Sequence, residues 1–121
     1  MQKVADRKSR LLGMIGLCRR AGKLVMGAEL VALAMAASKK PSLIVVSCDA
    51  SANTKKRMTT KAAYYGIPLL PIEVSSEALG AAIGKSGSIA AVAVKDDNFA
   101  NELIRIGSAG KEPSITTEDR T

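Results

Sequence analysis

The sequence predicts an α/β sandwich with one central sheet, and three observations carry that prediction. Residues 43–48 (LIVVSC) and 89–94 (IAAVAV) are short apolar runs of the kind a strand covered on both faces carries. Around them lie longer stretches of helical spacing and helix-favouring composition. Glycine and proline punctuate the alternation at Pro41, Gly66, Pro68 and Gly84, so the elements read α-β-α-β-α-β-α-β-α.

Residues 7–21 form the first helix, with Leu11, Ile15 and Cys18 at helical spacing and Leu12 beside them. Gly13 and Gly16 each cost about 1 kcal/mol relative to alanine there and mark close packing by a neighbouring helix. Arg19, Arg20 and Lys23 gather at its end, where cations suit the helix dipole. Residues 23–26 read as a very short strand. Gly27 opens a second helix to about residue 38; Lys39 and Lys40 close it and Pro41 stops it. The run 43–48 is the central strand. Asp49, Ser51 and Asn53 form a turn and capping cluster for a third helix, which ends at Gly66 with Pro68 just beyond. Residues 68–72 read as an edge strand because of their prolines. Ser75 or Ser76 caps a short helix ending near Gly84, and a glycine-containing loop leads into strand 89–94. Asp96 caps a last helix over 97–106. Residues 1–107 are expected to form a single domain, and 108–121 a flexible polar tail.

A chain of 121 residues buries a core without metals or disulfides. With two Tyr, one Phe and no Trp, that core is aliphatic, and Tyr64 and Tyr65 read as packing residues. Apolar stretches stop well short of the roughly 18 residues a membrane span needs. The charged start (Lys3, Asp6, Arg7, Lys8) does not read as a signal peptide, so a cytoplasmic protein is expected. Cys18 and Cys48 sit in apolar patterns and read as two buried, reduced thiols.

Charge is distributed unevenly. Residues 1–66 hold 13 Lys/Arg against 3 Asp/Glu, and residues 67–121 hold 5 against 8, for a total of +7. A basic half beside a mildly acidic one suggests a polyanion-binding side. Lys55, Lys56, Arg57 and Lys61 form the densest cluster. Lys55 and Lys56, placed in the first turn of the third helix, oppose its dipole, so stability does not explain them. The cluster reads either as a solvated basic face or as a phosphate-contacting one. Gly27 stands at a helix start, where free N–H groups suit anionic ligands.

Catalysis is not expected. The chain has no histidine, and its carboxylates are scattered. The string Gly84-Lys85-Ser86 resembles the end of a phosphate-binding loop, but the required earlier glycine is Leu79, and the order is helix-then-strand instead of strand-then-helix. No cofactor or metal is implied.

The strings GLCRRAGKLVMGAE (16–29), SLIVVSCDASANTKKR (42–57), KAAYYGIPLL (61–70) and LGAAIGKS (79–86) resemble the bacterial YlxQ-like ribosomal proteins. These belong to the superfamily of kink-turn-binding archaeal and eukaryotic large-subunit ribosomal proteins. The resemblance covers residues 9–106. It implies a three-layer α-β-α sandwich with one central mixed sheet of about four strands. It also implies an RNA surface in two parts: Lys23, Gly27, Ala28, Glu29, Leu30 and Leu33 at the second helix, and Gly84, Lys85, Ser86, Gly87, Ser88 and Ile89 in the loop after the fourth. Kink-turn binders of the archaeal type carry Gly-x-Asn-Glu-x-x-Lys at the second helix. Here the Asn, Glu and Lys positions are Glu29, Leu30 and Leu33.

The expected function is therefore recognition of structured RNA, ribosomal or kink-turn, by shape and phosphate contacts, using these residues with Lys55, Lys56 and Arg57. The expected protein is a ribosome-associated monomer that meets no membrane. The alternative is a non-catalytic protein-interaction module associated with the ribosome or RNA assembly.

Overall fold

The structure, a computed structural model, describes residues 3–108. The elements alternate as the sequence predicts: α1 (Lys3–Arg20), β1 (Leu24–Met26), α2 (Ala28–Ala36), β2 (Leu43–Val46), α3 (Ala52–Tyr65), β3 (Leu69–Pro71), α4 (Ser76–Ala82), β4 (Ala91–Val94) and α5 (Asp97–Ser108). Helix α1 starts four residues earlier than its hydrophobic pattern. Beyond Ser108, the expected tail lies outside the described residues.

The four strands lie in the order β1-β4-β2-β3. Strand β4 pairs antiparallel with β1 and with β2, and β2 pairs parallel with β3, so the sheet is mixed. The two central strands are buried along their whole length. Their side chains alternate between two cores, as the pleat requires. Leu43, Val45, Val92 and Val94 pack with Leu11, Ile15 and Cys18 of α1, Leu79 of α4 and Leu103 of α5. Ile44, Val46, Ala91 and Ala93 pack with Val31 and Met35 of α2 and Met58 and Ala62 of α3. The result is three layers.

Local chemistry sets the helix ends. The Ser51 hydroxyl accepts from the Thr54 amide at 3.1 Å, and the Ser75 hydroxyl from the Ala78 amide at 3.0 Å. Asp96 accepts from the amides of Asn98 and Phe99 at 2.8 and 3.1 Å. Each such cap contributes about 1 kcal/mol. Gly66 closes α3 at a φ of 70°, a left-handed conformation that favours glycine. At Gly16, α1 passes α4 so closely that a Cβ would lie 3.2 Å from the Ala82 carbonyl oxygen.

Four expectations need correction. Cys18 is buried, but Cys48 is exposed. The β2 ladder ends at Val46, and beyond it the Cys48 amide donates to the Val74 carbonyl, which takes the residue out of the strand alternation. Tyr64 is also exposed: α3 buries Met58 and Ala62, and residue 64 falls on the other side of the helix. Lys55 and Lys56 lie past the open first turn. With Ser51 as cap, the Lys55 amide already bonds the Ser51 carbonyl at 2.9 Å. Asp49 serves α4 and not α3, as its contacts below describe.

Candidate nucleic-acid interface

The β1–β4 register joins the two loops that the sequence singles out. Met26 pairs with Val92, and one residue further on the Gly27 amide donates to the Ala91 carbonyl at 2.9 Å. Alongside, the Ser47 amide donates to the Ala90 carbonyl at 2.9 Å. The start of α2, the approach to β4 and the exit of β2 therefore meet at one end of the sheet. Gly27 holds a φ of 97°, where a side chain is strained, and no side chain caps α2. The first amides of this helix are left for solvent or an anionic ligand.

The loop from Gly84 to Ile89 is folded back over α4. Gly84 turns at a φ of 78°, and the Lys85 amide closes onto the Gly80 carbonyl at 2.8 Å. The Ile89 amide reaches the Ser76 carbonyl at 3.0 Å. A Cβ on Gly80 would stand 2.0 Å from the Gly87 carbonyl oxygen, so only glycine admits this path. Lys85, Ser86, Gly87 and Ser88 are exposed, while Ile89 packs against the core. Asp49 anchors the same region. Its carboxylate accepts from the Ser76 amide at 2.8 Å, from the Ser76 hydroxyl at 3.2 Å and from the Ser47 hydroxyl at 3.0 Å. The Ser76 amide is the main reason its carboxyl is held below the usual aspartate value.

On α2, Ala28 is half-buried and Glu29 exposed, and the apolar Leu30 and Leu33 are 57% and 69% exposed. Glu29 is engaged by Arg57 of α3, which donates from Nη1 and Nη2 at 2.8 and 3.0 Å. This pair holds the Glu29 carboxyl low and pushes the Arg57 guanidinium up. Lys56 and Lys61 line a shallow groove on the outer face of α3 with Asn53, Arg57 and Thr60. Lys55 turns instead to a cavity of about 360 Å³ beyond the carboxyl ends of β2 and β3, shared with Ser47, Cys48, Thr59 and Glu73. Helix α3 carries four cations and no carboxylate.

Lys23 is the one candidate set apart from the others. It precedes β1, and its carbonyl accepts from the Lys95 amide at the carboxyl end of β4, so it stands at the opposite end of the sheet from Gly27. The strand separates the two by about 13 Å. Two residues essential to the site's shape, Gly80 and Asp49, were not among the candidates. Asp49 acts through Ser76, 27 residues away, and Gly80 through the backbone of the loop folded back onto α4, and neither contact follows a local pattern. Among the described residues, no cluster of three or more His, Cys, Asp or Glu is arranged to hold a metal, and no helix is long and apolar enough to cross a membrane.

With this geometry, the sequence matches the Ribosomal protein L7Ae/L30e/S12e/Gadd45 family over residues 9–104. The chain belongs to this family. Two curated relatives agree with it over most of their length. The RNA-binding protein YlxQ of Bacillus subtilis (strain 168) is 40% identical over 93 residues, which is 77% of this chain and 90% of the relative. The RNA-binding protein YlxQ of Enterococcus faecium is 36% identical over 96 residues, covering 78% and 88%. Among solved structures, a Bacillus halodurans protein of unknown function superposes with a TM-score of 0.72 at 33% identity, over 79% of this chain and 94% of that one. The Giardia lamblia 15.5kD RNA binding protein superposes with a TM-score of 0.69 at 19% identity, over 84% of each chain, and so shares the fold. The family membership, the α/β class and the mixed four-stranded sheet are those expected from the sequence.

Proposed function

We propose that the chain is a non-enzymatic RNA-binding protein of the ribosomal type. It takes structured RNA at the end of the sheet where the start of α2 and the Gly84–Ile89 loop adjoin. The observation that carries this reading is the Gly27–Ala91 hydrogen bond, which makes one surface of two segments about 60 residues apart. That surface offers the open amides of α2, the exposed loop with Lys85, and the cations of α3 beside them. Such a surface suits a bent RNA, whose phosphates and extruded bases are accessible where A-form grooves are not. The names of both curated relatives support it. Residues 1–107 act as the binding domain, in the cytoplasm and in association with the ribosome, as a monomer.

Recognition works by shape and phosphate contact. At the positions where archaeal-type binders use Glu and Lys, Leu30 and Leu33 have no hydrogen-bonding groups to read sheared G·A pairs. Their exposure favours a second reading, in which α2 docks a protein partner during RNA assembly.

Gel-shift titration against a kink-turn hairpin, a plain duplex and total ribosomal RNA at two salt concentrations tests the proposal. Tighter binding to the kink-turn hairpin or ribosomal RNA than to the duplex is expected. Equal weak binding to all three contradicts it. No binding at physiological salt favours the protein-partner reading.

A further inference from the structure

We propose that the opposite end of the molecule is a second RNA-contact surface, which takes a single-stranded extension of the bound RNA by stacking one unpaired base on Tyr64. The inference rests on the reading of the chain as an RNA binder and adds the far end of α3 to it. Tyr64 is 81% exposed, yet its ring is held in place. It meets the Tyr65 ring edge to face, with centroids 4.8 Å apart and planes at 85°. The Lys40 ammonium sits 4.6 Å from the Tyr65 centroid and donates to the Ala37 carbonyl at 2.7 Å. Tyr64 is thus positioned from one side and open to solvent on the other, which is what a stacking platform needs.

Cations surround it. Lys39 and Lys40 are exposed in the connection before β2, and Lys61 lies one turn before Tyr64 on α3. Lys23 belongs to this end as well. Its carbonyl accepts from the Lys95 amide while the Ser42 amide bonds the Val94 carbonyl, so Lys23 and Ser42 flank β4 about 10 Å apart. The carboxylates of this end are engaged on the α5 side, Asp96 at its helix cap and Asp97 with the Ser42 hydroxyl. From Lys55 to Tyr64 is about 13 Å along α3, a helix without a single carboxylate. Lys56 and Lys61, on the outer face of this helix, lead from the first end toward the second.

The occupant is single-stranded RNA because a duplex hides its base faces, whereas an unpaired base stacks on an aromatic ring whatever its identity. An acidic protein would satisfy the lysines but not the ring, whose electron-rich face attracts cations and not carboxylates.

The chain has two tyrosines and no tryptophan, so in a Tyr65→Phe variant Tyr64 alone reports by its emission. A short single-stranded oligoribonucleotide is expected to quench it. A single-stranded tail is expected to tighten binding of a structured hairpin roughly tenfold. Tyr64→Ala removes that gain and leaves the tail-less hairpin's affinity unchanged, and Tyr64→Phe keeps the gain. Absence of quenching, a tail effect that survives Tyr64→Ala, or polyglutamate binding as tightly as the oligonucleotide would overturn the proposal. A hairpin that does not bind without its tail counts against the first surface, and the quench by the oligonucleotide alone still decides this one.

Discussion

Arg57 grips Glu29 with two parallel hydrogen bonds of 2.8 and 3.0 Å, tying the first turn of α2 to α3 at the proposed RNA surface. The bond to Arg57, and then its charge, hold the Glu29 carboxyl below the usual glutamate value. A depressed folded-state pKa means the pair stabilises above the unfolded value and is lost as pH falls through the folded one. Carboxyl NMR titration should place the Glu29 midpoint below the ordinary range, returning to it in Arg57→Ala. Glu29→Gln frees the guanidinium beside the RNA, so binding should tighten and its salt dependence steepen by about one unit of slope. An unchanged slope would show that Arg57 serves the fold alone.

Gly80→Ala should displace the Gly84–Ile89 loop. Its Cβ would meet the Gly87 carbonyl oxygen, a backbone atom that cannot swing aside. Overpacking of this kind costs about 1–3 kcal/mol. Thermal melting should show that loss together with weakened RNA binding. Gly16→Ala faces a looser contact, 3.2 Å from the Ala82 carbonyl oxygen, and should lose less stability and no RNA affinity.

The two thiols should separate by reactivity. Burial, and then the charge of Asp96, push the Cys18 thiol up to about 11, and its Sγ donates to the Lys23 carbonyl. Cys48 is exposed. Iodoacetamide near neutral pH should label Cys48 in the folded protein and Cys18 only on unfolding. A raised folded-state pKa also means that stability falls as pH rises from about 9, where the unfolded thiol ionises, through about 11. Denaturant titrations across that window check the sign, and Cys18→Ser should remove this component.

These pairs also show what was legible in the sequence. Strand β2, the Ser51, Ser75 and Asp96 caps and the Gly66 stop were readable, because each depends on residues within a few positions of one another. The family blocks then placed the two loops. What was hidden depends on contacts across the fold. Glu29 and Arg57 are 28 residues apart, and Asp49 reaches Ser76 across 27. Gly80 is kept as glycine by the loop that folds back onto α4, a contact that helix periodicity does not mark. Lys23 sits four residues from Gly27, but a strand lies between them and carries it to the other end. Cys48 lies beyond the end of the β2 ladder, where strand alternation no longer applies, and Tyr64 falls on the face of α3 turned away from Met58 and Ala62.

The lysines should divide by position. Lys85→Ala and Lys55→Ala, at the first end, should each weaken hairpin binding and flatten its salt dependence by about one unit of slope per lost phosphate contact. Lys23→Ala should leave the tail-less hairpin's affinity and slope unchanged, because the strand holds it about 13 Å from Gly27. Titration of each variant over a range of salt concentrations distinguishes these outcomes.

The most direct test of the central claim is amide NMR mapping of the protein titrated with a structured RNA hairpin. Shifts concentrated at residues 27–33 and 84–91, saturating together, are predicted, because a single hydrogen-bonded junction joins the two segments. Shifts confined to one segment, or spread over the α1 and α5 face with both segments silent, would contradict it.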